Sequence, residues 1–190
     1  MSRILSINNK ESEALVIEHL RNGEIAILPC DTIYGIVGMV PISKEKIQAV
    51  KGRSETKNFI QLVTLDMALS LSSTHLSELL LSYWPGPLTL IVETKNGGSL
   101  ALRVPNDPLL QSIITSLNAP IYSSSVNTSN EETIHDFSEI VIKFHDRIPL
   151  FLKGSNTQGT VASTILDVRK NPYTLIRSGV VEVSSLLAGK

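Results

Sequence analysis

The sequence predicts an α/β domain in which helices flank a sheet of mixed strand direction, and three observations carry that expectation. Helical and strand-like segments interleave along the chain, the pattern of helices layered on a sheet. Asn96-Gly97-Gly98 is a strong turn signal between two strand-like runs, so at least one pair of neighbours forms an antiparallel hairpin. The 190 residues contain no internal repeat, low-complexity tract or linker, and so read as a single domain over 1–190. A chain of that length buries about 70% of the surface exposed when unfolded, and needs no disulfide or metal to hold it together.

In chain order, Ser12 is placed to cap a helix through about Arg21, with Leu15, Ile17 and Leu20 among its apolar positions and Gly23 just beyond its end. Glu24 to Leu28 reads as a strand. Ser43 caps a helix holding Ile47 and Val50 that ends near Gly52, and Phe59 to Thr64 is a second strand. Thr74 to about Tyr83 reads as helical until Pro85-Gly86-Pro87 stops it. Leu88 to Glu93 is then a strand whose apolar run predicts burial on both faces, paired through the turn with Leu100 to Val104. Asn106 or Asp107, followed by Pro108, opens a helix to about Leu117, because proline suits the first helical turn. Pro120 to Ser125 reads as a strand, Asp136 to about Phe144 as a helix, and Ile148 to Leu152, Ser163 to Val168 and Tyr173 to Arg177 as strands. Lys153 to Gly159, rich in Gly, Ser and Asn, reads as a loop able to move.

Composition removes several functional classes. Seventeen Lys and Arg against eighteen Asp and Glu give a formal net charge of −1, so any nucleic-acid contact is local rather than a property of the whole field. Cys30 is the single cysteine, which rules out an intramolecular disulfide and a metal site built of cysteines alone. His19, His75, His135 and His145 have no ligand-like spacing. The first residues lack the apolar core of a secretory signal and no apolar run is long enough to span a bilayer, which predicts a cytoplasmic protein with no membrane contact.

Three stretches carry candidate chemistry. Leu28-Pro29-Cys30-Asp31-Thr32-Ile33-Tyr34-Gly35 is a strand end running into a polar turn, and Lys51, Arg53 and Lys57 follow as closely spaced cations suited to a phosphate. The same cations also suit the solvated face of a helix and its exit loop. Ser123-Ser124-Ser125-Val126-Asn127-Thr128-Ser129-Asn130 packs hydroxyls and amides after a strand, the composition of a ligand-facing turn and equally of a plain one. Ser163-Thr164 at a strand start and Arg177-Ser178-Gly179 at a strand end form a third group fit for an anion.

Taken together these stretches resemble the YrdC family of threonylcarbamoyl-AMP synthases along almost the whole chain. The signature turn is similar to Pro29-Cys30-Asp31-Thr32-Ile33-Tyr34-Gly35, the Lys-x-Arg motif to Lys51-Gly52-Arg53, and the Trp-Pro-Gly-Pro-Leu-Thr segment to Trp84 to Thr89. Arg103-Val104-Pro105, Ser125-Val126-Asn127, Ser163-Thr164 and Arg177-Ser178-Gly179 match further motifs in the same order. Departures are Cys30, Ser54 and Asn130 in place of the family's usual Thr, Pro and Gly, with Leu62 where some members carry a histidine.

The resemblance implies an open twisted sheet around a large concave, basic surface. It also implies synthesis of threonylcarbamoyl-AMP and pyrophosphate from L-threonine, bicarbonate and ATP, for threonylcarbamoyl-adenosine in tRNA. By position it assigns Thr32, Arg103 and Ser163 to the threonine or carbamate end. The same comparison gives Ser99, Ser123, Ser125, Asn127, Thr133 and Arg177 to the nucleotide. The chemistry implied needs cations on its phosphates, and Lys51, Arg53 and Lys57 are the candidates, Lys51 and Arg53 as the catalytic pair, with magnesium sharing their charge. Downstream tRNA threonylcarbamoyl-transfer proteins are implied as partners.

Tyr34 is placed to line the pocket but reads first as a core tyrosine with its hydroxyl satisfied, Trp84 reads as structural, and Cys30 reads as a small wall residue, because the scheme gives it no step. Other readings stay open: a non-enzymatic double-stranded RNA or tRNA binder, and a paralogue that binds nucleotide with weakened turnover. The carbamoyl-transfer module of hydrogenase maturation proteins shares the fold, but within much longer chains carrying zinc-binding cysteines.

Overall fold

The computed structural model describes residues 2–52, 58–129, 131–154 and 161–187. In order they form β1 (Arg3–Ser6), α1 (Ser12–Arg21), β2 (Ile25–Leu28), β3 (Gly35–Met39), α2 (Lys44–Lys51), β4 (Ile60–Leu62), α3 (Leu65–Leu71) and α4 (Glu78–Leu81). There follow β5 (Leu88–Glu93), β6 (Ser99–Arg103), α5 (Pro108–Leu117), β7 (Ile121–Ser125), α6 (Phe137–Phe144), β8 (Leu150–Lys153), β9 (Thr164–Asp167), β10 (Thr174–Arg177) and α7 (Ser184–Leu187).

The strands make one sheet in the order β1-β8-β2-β3-β7-β4-β6-β5-β9-β10. Its directions are mixed, as expected. β8 lies parallel to β1 and β2, β4 to β6, and β5 to β9. The other pairings, β2–β3, β3–β7, β4–β7, β5–β6 and β9–β10, are antiparallel.

Strand alternation divides the apolar residues between two layers. On β2 and β3, Ala26, Leu28 and Val37 face α1 and α5, while Ile25, Ile27 and Ile36 face α2 and α6. The central strands are therefore buried on both faces. Helix α5 shows the complementary pattern, burying Leu110, Ile113, Ile114 and Leu117, which share one face at 3.6 residues per turn. Each such side chain contributes about 1.5 to 3 kcal/mol on leaving water. A further core gathers Trp84, Leu88, Leu90, Leu102 and Leu166 beneath α3, α4 and α7. Trp84 is structural, as read: its indole N–H donates to the Leu88 carbonyl at 2.7 Å.

Four helix starts follow side-chain capping chemistry. Asp107 accepts from the Leu110 N–H, Asp136 from the Glu139 N–H, Thr64 from the Met67 N–H and Ser77 from the Leu80 N–H. Ser12 and Ser43 make no such cap. Ser12 is the first helical residue and donates to the Ser6 carbonyl at 2.7 Å, tying α1 to the end of β1. Buried Ser43 donates instead to the Gly23 carbonyl at 3.3 Å.

The expected helix from Thr74 shrinks to α4. Its first residues are taken by the sheet, since Ser72 bridges Thr94, the Ser73 N–H donates to Glu93, and the Thr74 hydroxyl accepts from the Glu93 N–H. Strands β1 and β3 and helices α3 and α7 were not expected from the sequence. Most of the Lys153 to Gly159 loop lies outside the described residues.

Gly38 marks the tightest approach of a helix start to the sheet. A Cβ there would stand 2.4 Å from the Cβ of Ser43. Gly38→Ala should therefore displace the entry of α2 and cost about 1 to 3 kcal/mol. Urea unfolding measures it, and a variant as stable as the parent would show that this contact yields freely.

Candidate functional site

The turn between β2 and β3 holds the signature residues against the end of β6, and the contact is an ion pair. Arg103 donates through Nη2 to Asp31 Oδ1 at 2.9 Å and through Nη1 to Thr32 Oγ1 at 3.0 Å. The other oxygen of Asp31 accepts from the Asn106 backbone N–H at 3.1 Å. The two charged side chains are 4% and 8% exposed, so this pair is desolvated and held by hydrogen bonds on both sides. The Nε–H of Arg103 is buried with no partner among the described residues.

Beside Arg103 lies a small open cleft. Its wall includes Thr32, Tyr34, Arg103, Ser163 and Arg177, with Ser123 to Ser125 from β7 and the apolar Ile33, Ile60 and Ala162. Arg177 grips the start of β9: Nε and Nη2 donate to the Ser163 carbonyl at 3.1 and 2.7 Å, and Nη2 also to its Oγ at 3.0 Å. Burial first, and then the positive charge of Arg103, hold the Arg177 guanidinium below its ordinary range. Two cations thus repel across one cleft, a repulsion that an anionic guest removes.

Close backbone packing makes that grip possible. A Cβ on Gly179 would lie 2.3 Å from the Ala162 carbonyl oxygen and 2.5 Å from the Thr164 nitrogen. Only glycine lets the chain leaving β10 pass over residues 162 to 164, where the Val180 N–H donates to Ala162 at 3.1 Å.

Lys51, expected at phosphates, is buried under the turn after β7. Its ammonium donates to the carbonyls of Ser125 and Asn127 at 2.7 and 2.9 Å and to Asn127 Oδ1 at 2.6 Å. Asn127 Oδ1 also accepts from Ser125 Oγ at 2.8 Å, and its amide donates to the Glu131 carbonyl at 2.7 Å. Lys51, Ser125 and Asn127 therefore form one network that fixes the turn, and the described acceptors of this ammonium belong to the loop. Ser99 begins β6 opposite Glu93, and Thr133 sits in the connection to α6; both stand outside the wall of the cleft. Arg53, Lys57, Ser54 and Asn130 lie outside the described residues.

Tyr34 is buried, and its hydroxyl accepts from the Gly154 N–H at 3.0 Å while the residue also lines the cleft. Cys30 lines the cleft as a wall residue, and burial pushes its thiol up to about 12. Sequence reading missed Asp31 as a site residue, although it stands inside the signature turn next to Thr32. It also missed Thr89, whose hydroxyl meets Ser163 at 2.8 Å.

Two outcomes follow from this geometry. Asp31→Ala strands a buried guanidinium and should lower unfolding free energy by about 3 to 5 kcal/mol; denaturant titration reads this, and a loss below about 1 kcal/mol would mean that water already solvates the pair. Because a thiol reacts as its thiolate, Cys30 in the native protein at pH 8 should react with a disulfide reagent roughly a thousandfold more slowly than in the denatured chain. Equal rates would place the thiol in a polar, open setting.

Among the described residues no helix is long and apolar enough to cross a membrane. Residues 18–179 match the model of the Sua5/YciO/YrdC family, described as telomere recombination. A threonylcarbamoyl-AMP synthase of Pyrococcus abyssi is 25% identical over 176 residues, covering 84% of this chain and 52% of the relative, so the chain spans about half of that protein. One from Yersinia enterocolitica is 27% identical over 163 residues, covering 75% of this chain and 84% of its own. The structure of P. abyssi Sua5 complexed with L-threonine superposes with a TM-score of 0.86 at 21% identity, over 98% of this chain and 59% of that one. With a family model matched over most of its length and the same sheet underneath, this chain belongs to the Sua5/YciO/YrdC family.

Proposed function

We propose that the protein is a threonylcarbamoyl-AMP synthase, joining L-threonine, bicarbonate and ATP and releasing pyrophosphate. The observation that carries the reading is the cleft with two arginines, one of them buried and with an Nε–H that has no partner among the described residues. Such a site suits a small carboxylate-bearing guest, because a guanidinium grips a carboxylate through directed, charge-assisted bonds. Ile33, Ile60 and Ala162 add an apolar wall for a short aliphatic side chain. Relatives named for this activity, and one solved with L-threonine, support the assignment. Arg103 at 4% and Ser163 at 2% exposure are too enclosed to serve a duplex RNA backbone, which makes a pure RNA-binding role the weaker reading.

The chemistry asks for positioning rather than for an activated side chain. Once the threonine amine is a carbamate, one of its oxygens attacks the α-phosphate of ATP; the new O–P bond forms as the bond to pyrophosphate breaks. Bringing two anions into line is opposed by charge, and fixed cations in a partly dehydrated cleft offset that cost. Orientation alone contributes about 7 to 11 kcal/mol to steps of this kind.

Thr32, Arg103 and Ser163 take the threonine end. Arg177, bonded to Ser163, stands at the junction with the nucleotide, and the serines of β7 with the Lys51-ordered turn border the ATP side. Arg53 and Lys57 supply phosphate charge, and magnesium enters with ATP as part of the substrate. Transfer to tRNA falls to other proteins, and a cytoplasmic setting suits these substrates.

Pyrophosphate release should require threonine and bicarbonate together; release indifferent to either would remove the assignment. Arg103→Lys keeps a charge beside Asp31 but loses the fork, and should weaken threonine binding by about 10- to 100-fold, the equivalent of a charged hydrogen bond worth about 1.5 to 3 kcal/mol. ATP affinity measured without threonine should change little. Calorimetric titrations give both numbers, and unchanged threonine affinity would move this residue out of the substrate site.

A further inference from the structure

Ser163 reaches into the cleft from a position where its hydroxyl is already engaged twice. The Oγ atom accepts from Arg177 Nη2 at 3.0 Å and lies 2.8 Å from Thr89 Oγ1. Either hydroxyl of the second pair could donate, and burial decides between them. Thr89 is fully buried and has no other side-chain hydrogen-bond partner among the described residues. If Ser163 donated to Thr89, the hydrogen of Thr89 would be buried with no acceptor, a penalty folded proteins avoid. Thr89 therefore donates, both lone pairs of Ser163 Oγ are filled, and the Ser163 hydrogen has one direction left, toward the cleft it lines.

We infer that Thr89 is a positioning residue that makes Ser163 a fixed donor to an oxygen of the amino-acid substrate. The inference rests on the threonine reading of the cleft and adds a residue to it. Thr89 is absent from the cleft wall, so its influence on the ligand passes only through Ser163. Its position follows from sheet register: β5 and β9 run parallel with Leu88 opposite Thr164 and Thr89 opposite Ile165, so Thr89 lies beside the start of β9, where Ser163 enters.

The test is steady-state pyrophosphate release with threonine and ATP varied in turn, for Thr89→Val, Thr89→Ser, Ser163→Ala and the Thr89→Val/Ser163→Ala pair. A contact present in both ground and transition states appears in KM more than in kcat. Thr89→Val should raise the threonine KM about three- to tenfold, the scale of one neutral hydrogen bond, with the ATP KM unmoved. Thr89→Ser should restore the parent value. On the Ser163→Ala background Thr89→Val should add nothing further, since two residues acting through one contact are not additive.

A parent-like threonine KM in Thr89→Val overturns the inference. So does an equal loss in Thr89→Ser, or a full additional loss in the pair. Should melting curves show Thr89→Val unfolded, Thr89→Cys, of similar volume but a weak donor, takes its place in the same comparison. A parent enzyme that releases no threonine-dependent pyrophosphate removes the functional reading and this inference with it; an active parent with an indifferent Thr89 removes the inference alone.

Discussion

The buried pair of Asp31 and Arg103 is the contact on which the site depends. It joins the turn after β2 to the end of β6, two strands that are not neighbours in the sheet, and through the Asn106 N–H it also fixes the entry to α5. An ion pair this enclosed contributes little net stability, because desolvation cancels much of the attraction. Its value is geometric. With both oxygens of Asp31 occupied and Thr32 on the second guanidinium nitrogen, Arg103 has one orientation, and the cleft takes its shape from that orientation.

Charge at this site is arranged by confinement rather than by amount. The whole chain is nearly neutral, yet Arg103 and Arg177 face one small cleft, where burial and then the charge of Arg103 hold Arg177 below its ordinary range. Lys51 shows the opposite use of a cation. Its charge is spread over loop acceptors, so it stiffens the Ser125 to Asn127 turn from behind. A preorganised turn costs nothing to order when substrate arrives.

Strands and helices with strong periodicity were legible, and the reasons for the misses are local. Helix α5 was legible because Pro108 marks its first turn, and its buried residues at i, i+3, i+4 and i+7 hold it to the sheet. Strand β3 was hidden by Gly35 and Gly38, which weaken a strand signal but are needed where Ser123, Cys30 and Ser43 press against the backbone. Strand β1 has one buried residue, Leu5, and so no alternation to detect. Ordered motifs singled out Thr32, Arg103, Ser163 and Arg177, and these four line one cleft. What sequence could not give was who bonds to whom: Asp31 and Thr89 hydrogen-bond to residues 72 and 74 positions away.

The sheet order also governs when the site can exist during synthesis. Strand β1 finds its partner only at β8, where Arg3 lies opposite Leu150, and the cleft closes only with Ser163 and Arg177. A nascent chain emerging from the ribosome therefore carries Arg103 and its turn well before Ser163 and Arg177, the opposing wall, arrive. Pairings of such sequence separation form slowly. Until the last strands emerge the half-made cleft has no fixed shape, and premature capture of a nucleotide or an amino acid has no wall to close against.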